Sequence, residues 1–392
     1  KPGNRLIKFP IQKGVLLPKP DETEQPKRKN RGNGREEKAM TEHQKSVRPE
    51  SRPEKKKSKN YNLELIRMIS FVMVIVIHVT NYYCRAYGEV TQGEYLFSLA
   101  LDTASRLSVP CFFMITGALL LGRREPLGKH ARRLLRFGTV LIVWSLVYYL
   151  WNTFYMGTPY DLSEILYTPV EAHLWYLYAM IPIYLVMPFF QIMCAGMNLR
   201  MERAFLVVIT AAVIFNYILT LQHGEAYYDI PLIGDQVYSY YVFIGYYIYK
   251  YRRHIRIGQG TAFFGCIFCL AATFGITWGV TVLRGDHYET ALQYGSPLLV
   301  LAGALFFLFM VRLKKGDYVP NAGAKKVIDL FCGCSFGIYL IHILFLDNYK
   351  KYMEPTDLPA WIAVPLLTAG IAAVSLLCVW LLGRTRIGKK IT

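Results

Sequence analysis

Arg67 and His78 stand eleven positions apart inside one apolar run that extends from Asn62 to His78. Eleven residues of α-helix rise about 16 Å and end about 20° past three full turns. The two side chains therefore share one stripe of one helix, with the arginine near one membrane face and the histidine deep within. Both are costly there: a central arginine alone costs about 2.5–3.5 kcal/mol on the insertion scale. A guanidinium fork pairs with phosphate oxygens. An imidazole, with an ordinary pKa of about 6.5, serves near neutral pH as a general base or as a nucleophile. At this spacing the pair reads as the two ends of one site.

The other polar residues in apolar surroundings fall into two layers. Glu64 lies three residues before Arg67, and Arg123 and Arg124 stand where the second apolar run ends. These arginines read either as positive-inside anchors or as a basic pocket for phosphates. His78, Asp102, Arg106 and His342 form the second layer, with His78 about 20 Å above the first helix edge and His342 at a similar height. Asp102 and Arg106 have the i, i+4 spacing of a self-neutralising pair. Alternatively, Asp102 fixes the tautomer of His78 through the far ring nitrogen. His342 is either a bonded bundle histidine or a second catalytic imidazole. His173 and Trp175, in Glu171-Ala172-His173-Leu174-Trp175, read as interface anchors that face the outer solution, within reach of a substrate there.

The elements that must carry these residues are membrane spans. Hydrophobic residues make up 53% of the chain and aromatics 15%, in apolar runs of spanning length. We expect an all-α polytopic bundle of ten spans: 63–84, 95–121, 137–157, 172–192, 204–222, 236–250, 260–283, 293–311, 327–347 and 360–383. The sixth is short and rests on its tyrosines. Residues 1–60 differ in kind: they carry 18 Lys/Arg against 8 Asp/Glu, too little apolar surface to order themselves. They read as a disordered basic cytoplasmic tail ahead of a membrane domain at 61–392. Their basic residues are not interleaved with aromatics, so base stacking and nucleic-acid binding are not expected.

Charge assigns the sides. Alternate connections, together with both terminal segments, hold 39 of the 45 Lys/Arg. The opposite side holds four, Arg85, Arg284, Lys350 and Lys351, and only Arg67 and Arg106 lie within spans. The positive-inside rule then puts both termini in the cytoplasm of a multi-pass protein of the plasma membrane. The outer connections carry 13 Asp/Glu, which disfavours a strongly anionic polymer as ligand and suits a neutral sugar or lipid-linked glycan.

The eight cysteines lie in or against spans and form no disulfide framework. Cys266-x-x-Cys269 and Cys332-x-Cys334 lack partners at zinc-ligand spacing, so no metal is expected. No phosphate-binding glycine loop occurs in the chain, and no G-x-S-x-G segment stands at a strand-to-helix elbow: Gly333-Cys334-Ser335-Phe336-Gly337 has the letters but lies inside an apolar span.

Four segments in order resemble the acyltransferase 3 family of integral membrane acyltransferases. Glu64, Arg67 and His78 match that family's acidic residue, its Arg/Lys and, after ten residues, its catalytic His. Pro110-Cys111-Phe112-Phe113-Met114-Ile115-Thr116-Gly117-Ala118, followed by Arg123, is similar to its Pro-x-Phe-Phe-x-x-Ser-Gly-Phe segment, with Thr and Ala in place of Ser and Phe. Leu174-Trp175-Tyr176-Leu177 and Ser335-Phe336-Gly337-Ile338-Tyr339-Leu340-Ile341-His342 are similar to later family segments. The resemblance covers residues 61–383.

It implies transfer of an acyl group, commonly acetyl, from cytosolic acyl-CoA as co-substrate to a sugar hydroxyl at or beyond the membrane. Arg67 and Arg123 would then pair with the CoA phosphates, with Glu64 at the same cofactor site; His78, Asp102 and His342 would serve the chemistry, and His173 and Trp175 the acceptor. The expected partners are a sugar or glycan acceptor, membrane lipid, and a second copy or a glycan-assembly protein. The competing class is a proton-coupled secondary transporter of a small or lipid-linked solute, to which buried Arg, Asp and His are equally suited.

Overall fold

Asn60 caps the first membrane helix: its side chain accepts hydrogen bonds from the amides of Asn62 and Leu63 at 3.1 and 3.2 Å. The computed structural model describes residues 59–223, 237–386 and 388–391. The helix that Asn60 starts, α1, is Tyr61–Arg85. It is followed by α2 (Gln92–Ser105), α3 (Ser108–Leu120), α4 (Leu127–Leu150), α5 (Trp175–Gly196), α6 (Leu199–His223) and α7 (Tyr238–Tyr251). The series ends with α8 (Gln259–Arg284), α9 (Pro297–Val311), α10 (Ala322–Lys350), α11 (Ala360–Leu382) and the short α12 (Gly388–Ile391). Among the described residues there is no strand, apart from an isolated bridge between Tyr87 and Val90. The expected all-α membrane bundle is what forms: among the described residues nine helical segments, α2 and α3 counting as one, are long and apolar enough to cross a membrane.

Three elements depart from a plain ten-rod reading. The second span is two helices, broken at Arg106–Leu107, because Pro110 has no N–H to return to the carbonyl of Arg106. The third begins ten residues before its apolar run, at Leu127, since Lys129, Arg132, Arg133 and Arg136 extend the helix beyond it. That span closes with a π-helical turn, Trp151–Met156. The sixth, α7, is 14 residues, about 21 Å long, and is packed almost wholly against protein. The expected basic tail lies outside the described residues up to position 58, as do the outer acids Glu225, Asp229 and Asp235.

The core is organised around α1, which touches α2, α3, α9, α10 and α11. Its start is fixed by Asn62, a buried side chain whose amide donates to the carbonyls of Met310 and Leu313 at 3.0 and 2.9 Å. The tightest crossing is that of α3 on α7. A Cβ on Gly117 would fall 1.8 Å from the carbonyl oxygen of Val242, and one on Gly245 would fall 2.1 Å from that of Met114. Two glycines thus let two backbones meet, the close approach that small residues permit between membrane helices. Large apolar side chains such as Val207, Val208, Phe264 and Phe268 stay exposed on α6 and α8, where lipid is the natural solvent.

Candidate functional site

One face of α1 carries Arg67, Phe71, Val74, His78, Asn81 and Arg85, spaced 4, 3, 4, 3 and 4 residues apart, and all six line one cavity. That stripe rises about 27 Å. α10 supplies a second wall in the same way, with Ser335, Phe336, Tyr339, Ile343, Asp347 and Lys350. Between them lies a space of about 490 Å³, with Arg67 near one end and Arg85, Glu289 and Lys350 near the other.

Three imidazoles meet in this cavity. The ring centroids of His78 and His342 are 5.2 Å apart, those of His173 and His342 5.4 Å, and those of His78 and His173 6.4 Å. His173 and His342 are each 1% exposed, whereas His78 keeps an accessible face. The Nδ1 of His342 lies 2.7 Å from the carbonyl oxygen of Tyr339. A carbonyl only accepts, so Nδ1 carries the proton and Nε2 keeps a lone pair with no partner among the described residues. Tyr339 in turn donates its hydroxyl to the carbonyl of His173. The ring of Tyr148 packs edge-on to His173 at 4.8 Å. The imidazoles are thus held by packing and by one another. Among the described residues no group of three His, Cys, Asp or Glu side chains is placed to hold a metal ion.

The other expected site residues separate into those that reach the cavity and those that do not. Arg67 lines it while donating to Glu64 at 2.8 Å, and Glu64 itself stays outside the lining. Arg123 sits in the exposed turn after α3, also outside the lining, so no phosphate pocket shared with Arg67 is formed by side chains alone. Asp102 does not orient His78. It is fully buried, accepts from Arg106 Nε at 3.0 Å and from the Thr80 hydroxyl at 3.4 Å, and makes no bond to the imidazole.

His173 is not an interface anchor. Residues 172–174 form a 3₁₀ turn whose first amide donates to Glu171, and the turn tucks the imidazole into the bundle. Trp175 lines the cavity and packs on Tyr238 and Tyr294 at 5.0 and 5.9 Å.

Several lining residues were given no place in the site from sequence: Tyr339, Tyr294, and the charged rim of Arg85, Glu171, Glu289, Asp347 and Lys350; Arg106, read only as the partner of Asp102, lines the cavity too. The rim is partly self-paired, since Arg85 Nε and the Asn81 amide both donate to Glu289 Oε1 at 3.3 Å. Burial pushes the Glu289 carboxyl upward, but Arg85 and the Asn81 bond outweigh it and hold the group below the usual glutamate range. A helical stripe at positions 335, 339, 343, 347 and 350 was available in the sequence as a signal for the α10 wall.

Comparison with known proteins adds a family. A family model described as an acyltransferase domain matches residues 60–384. A 99-residue stretch is 34% identical to sodium-dependent phosphate transporter 1-A of Xenopus laevis. That stretch is 24% of this chain, and it covers 14% of the transporter, a small part of that protein's length. No solved structure matches.

Proposed function

The chain belongs to the acyltransferase 3 family and is a membrane acyltransferase; on that premise we propose that it moves an acyl group, acetyl in the simplest case, from cytosolic acyl-CoA to a hydroxyl of a surface or lipid-linked sugar. The observation that carries this reading is the single cavity that has Arg67 near one end, an accessible His78 within, and a charged rim at the other. CoA is multiply anionic at its nucleotide end, and its pantetheine arm is long, narrow and uncharged. Arg67 would pair with a phosphate, with Arg123 close to the nucleotide in the exposed turn. The arm would climb the α1 stripe over the roughly 16 Å between Arg67 and His78.

In this scheme the acceptor enters from the rim, past Arg85 and Lys350, with Trp175 and His173 in the wall it meets. His78 takes the proton of the attacking hydroxyl, and the oxygen bonds to the thioester carbon. The C–S bond then breaks, and the thiolate leaves with the proton from His78. The products are an O-acyl sugar and free CoA. His342 packs against His78 and keeps it in place. An acyl-imidazole route would use the same residues in two steps and would release CoA before any acceptor is present.

Sidedness follows from the charge bias: both termini and the Arg67 end in the cytoplasm, the rim facing outward, the protein in the plasma membrane. Tyr82, whose ring lies under the rim residue Lys350, suits a sugar; a glycan-assembly protein would present it, and a second copy of the chain is the other partner.

Calorimetry with acetyl-CoA on the purified full chain in lipid nanodiscs tests the donor half. The reading predicts saturable binding and slow CoA release without acceptor. Folded protein with no affinity up to about a millimolar, equivalent to less than about 4 kcal/mol of binding energy, contradicts it. Proton-driven solute uptake with no dependence on CoA would favour a carrier instead.

A further inference from the structure

We propose that Arg106 is the group that binds the oxyanion formed on the thioester carbonyl during acyl transfer; the inference rests on the acyl-CoA reading above. α2 runs antiparallel to α1, and the contact between Asp102 and Thr80 sets their relative height. From that level Arg106 lies four residues further along α2, about 6 Å, and His78 lies two residues back along α1, about 3 Å in the same direction. The guanidinium and the imidazole therefore stand within a few ångströms of one depth, and both line the cavity.

The fork is held in place before any substrate arrives. Its Nε donates to Asp102 at 3.0 Å, and Asp102 is 0% exposed and absent from the lining. The Arg106 side chain is 15% exposed and lines the cavity beside the Tyr294 hydroxyl, while its counter-charge stays behind the wall. The break at Arg106–Leu107, set by Pro110, places this residue at a helix end rather than mid-rod.

A gain in stability is a weak reason for such a pair. Buried ion pairs replaced by apolar residues of similar volume are often neutral or more stable. A charge aimed at developing negative charge in a site shielded from water is a catalytic arrangement.

The step balances without further reagents. As the hydroxyl oxygen bonds to the carbonyl carbon and His78 takes its proton, the carbonyl π pair moves onto oxygen. Arg106 N–H donors bind that oxygen until the C–S bond breaks and the π bond reforms.

Two variants of the full chain test this: Arg106→Lys, which keeps the charge on Asp102 but loses the fork, and the double variant Arg106→Gln with Asp102→Asn, which removes both charges together. The probe is acetyl-CoA, with CoA thiol release and calorimetric affinity read on the same preparations. The expected result is turnover lowered about 100- to 1,000-fold, with affinity for acetyl-CoA within about threefold of wild type. Either folded variant turning over within threefold of wild type overturns the role of Arg106 while leaving the donor reading intact. Loss of affinity that accounts for the whole loss of turnover also overturns it, by making Arg106 a donor-binding group. No turnover in wild type overturns the donor reading and this inference together.

Discussion

The imidazoles of His78 and His342 lie 5.2 Å apart on α1 and α10, two helices that touch along one cavity wall. Only His78 keeps an accessible face, so the chemistry and the support should divide between them. His78→Ala should leave affinity for acetyl-CoA nearly unchanged and lower transfer by about 10²–10⁴-fold, the usual loss for a positioned acid–base group. Arg67→Ala should do the reverse, weakening CoA binding through loss of a phosphate partner. Parallel calorimetry and product assays on the two variants read this split. Transfer above about a tenth of wild type in His78→Ala would pass the catalytic role to His342.

The crossing of α3 and α7 gives a stability test. Gly117→Ala puts a methyl 1.8 Å from the carbonyl oxygen of Val242, and the contact is with backbone, which cannot turn aside. We expect at least the 1–3 kcal/mol, roughly, that overpacking costs, visible as a lower melting temperature in detergent. Gly93→Ala, with nothing within 4 Å, is the control and should melt like wild type. Equal melting of the two variants would mean that the helices do not meet as described.

The rim gives a pH test. Glu289 has its folded-state pKa depressed, against the effect of burial, by Arg85 and the Asn81 amide. A depressed carboxyl contributes stability above its unfolded pKa and loses it as pH falls through the lower folded value. Wild type should therefore be slightly more stable than Glu289→Gln at pH 7, by less than about 1 kcal/mol because both partners are well exposed. The gap should close only under acid, below the ordinary glutamate range. A gap that is constant across acid titration would show that Glu289 acts through packing rather than through charge.

What was legible in the sequence was whatever one helix carries alone. The Arg67–His78 stripe, the Glu64–Arg67 pair and the Asp102–Arg106 pair all follow from the 3.6-residue repeat, and each appears in the structure. Contacts between helices were not legible. Asp102 had two candidate partners, and the choice of Arg106 and Thr80 over His78 depends on the rotation of α2 against α1, which no spacing reveals. His173 sits at a span boundary beside aromatics, the pattern of an interface anchor. A three-residue 3₁₀ turn and the hydroxyl of Tyr339, 166 positions away, draw it into the core instead. The charged rim looked like loop composition until α10 and the turn before α9 brought Asp347, Lys350 and Glu289 to one mouth.

The central claim is that donor and acceptor meet at His78 from opposite faces of the membrane. In sealed vesicles of verified orientation, with residue 128 labelled from the N-terminal face and residue 88 from the other in single-cysteine variants on a cysteine-free background, labelled acetyl-CoA is supplied on the N-terminal face only. A glycan acceptor is enclosed on the opposite face. The account predicts labelled acceptor inside, free CoA outside, and no transfer when His78 is alanine. Labelling that occurs only when acetyl-CoA and acceptor share one compartment would contradict it, even for a protein that transfers acyl groups.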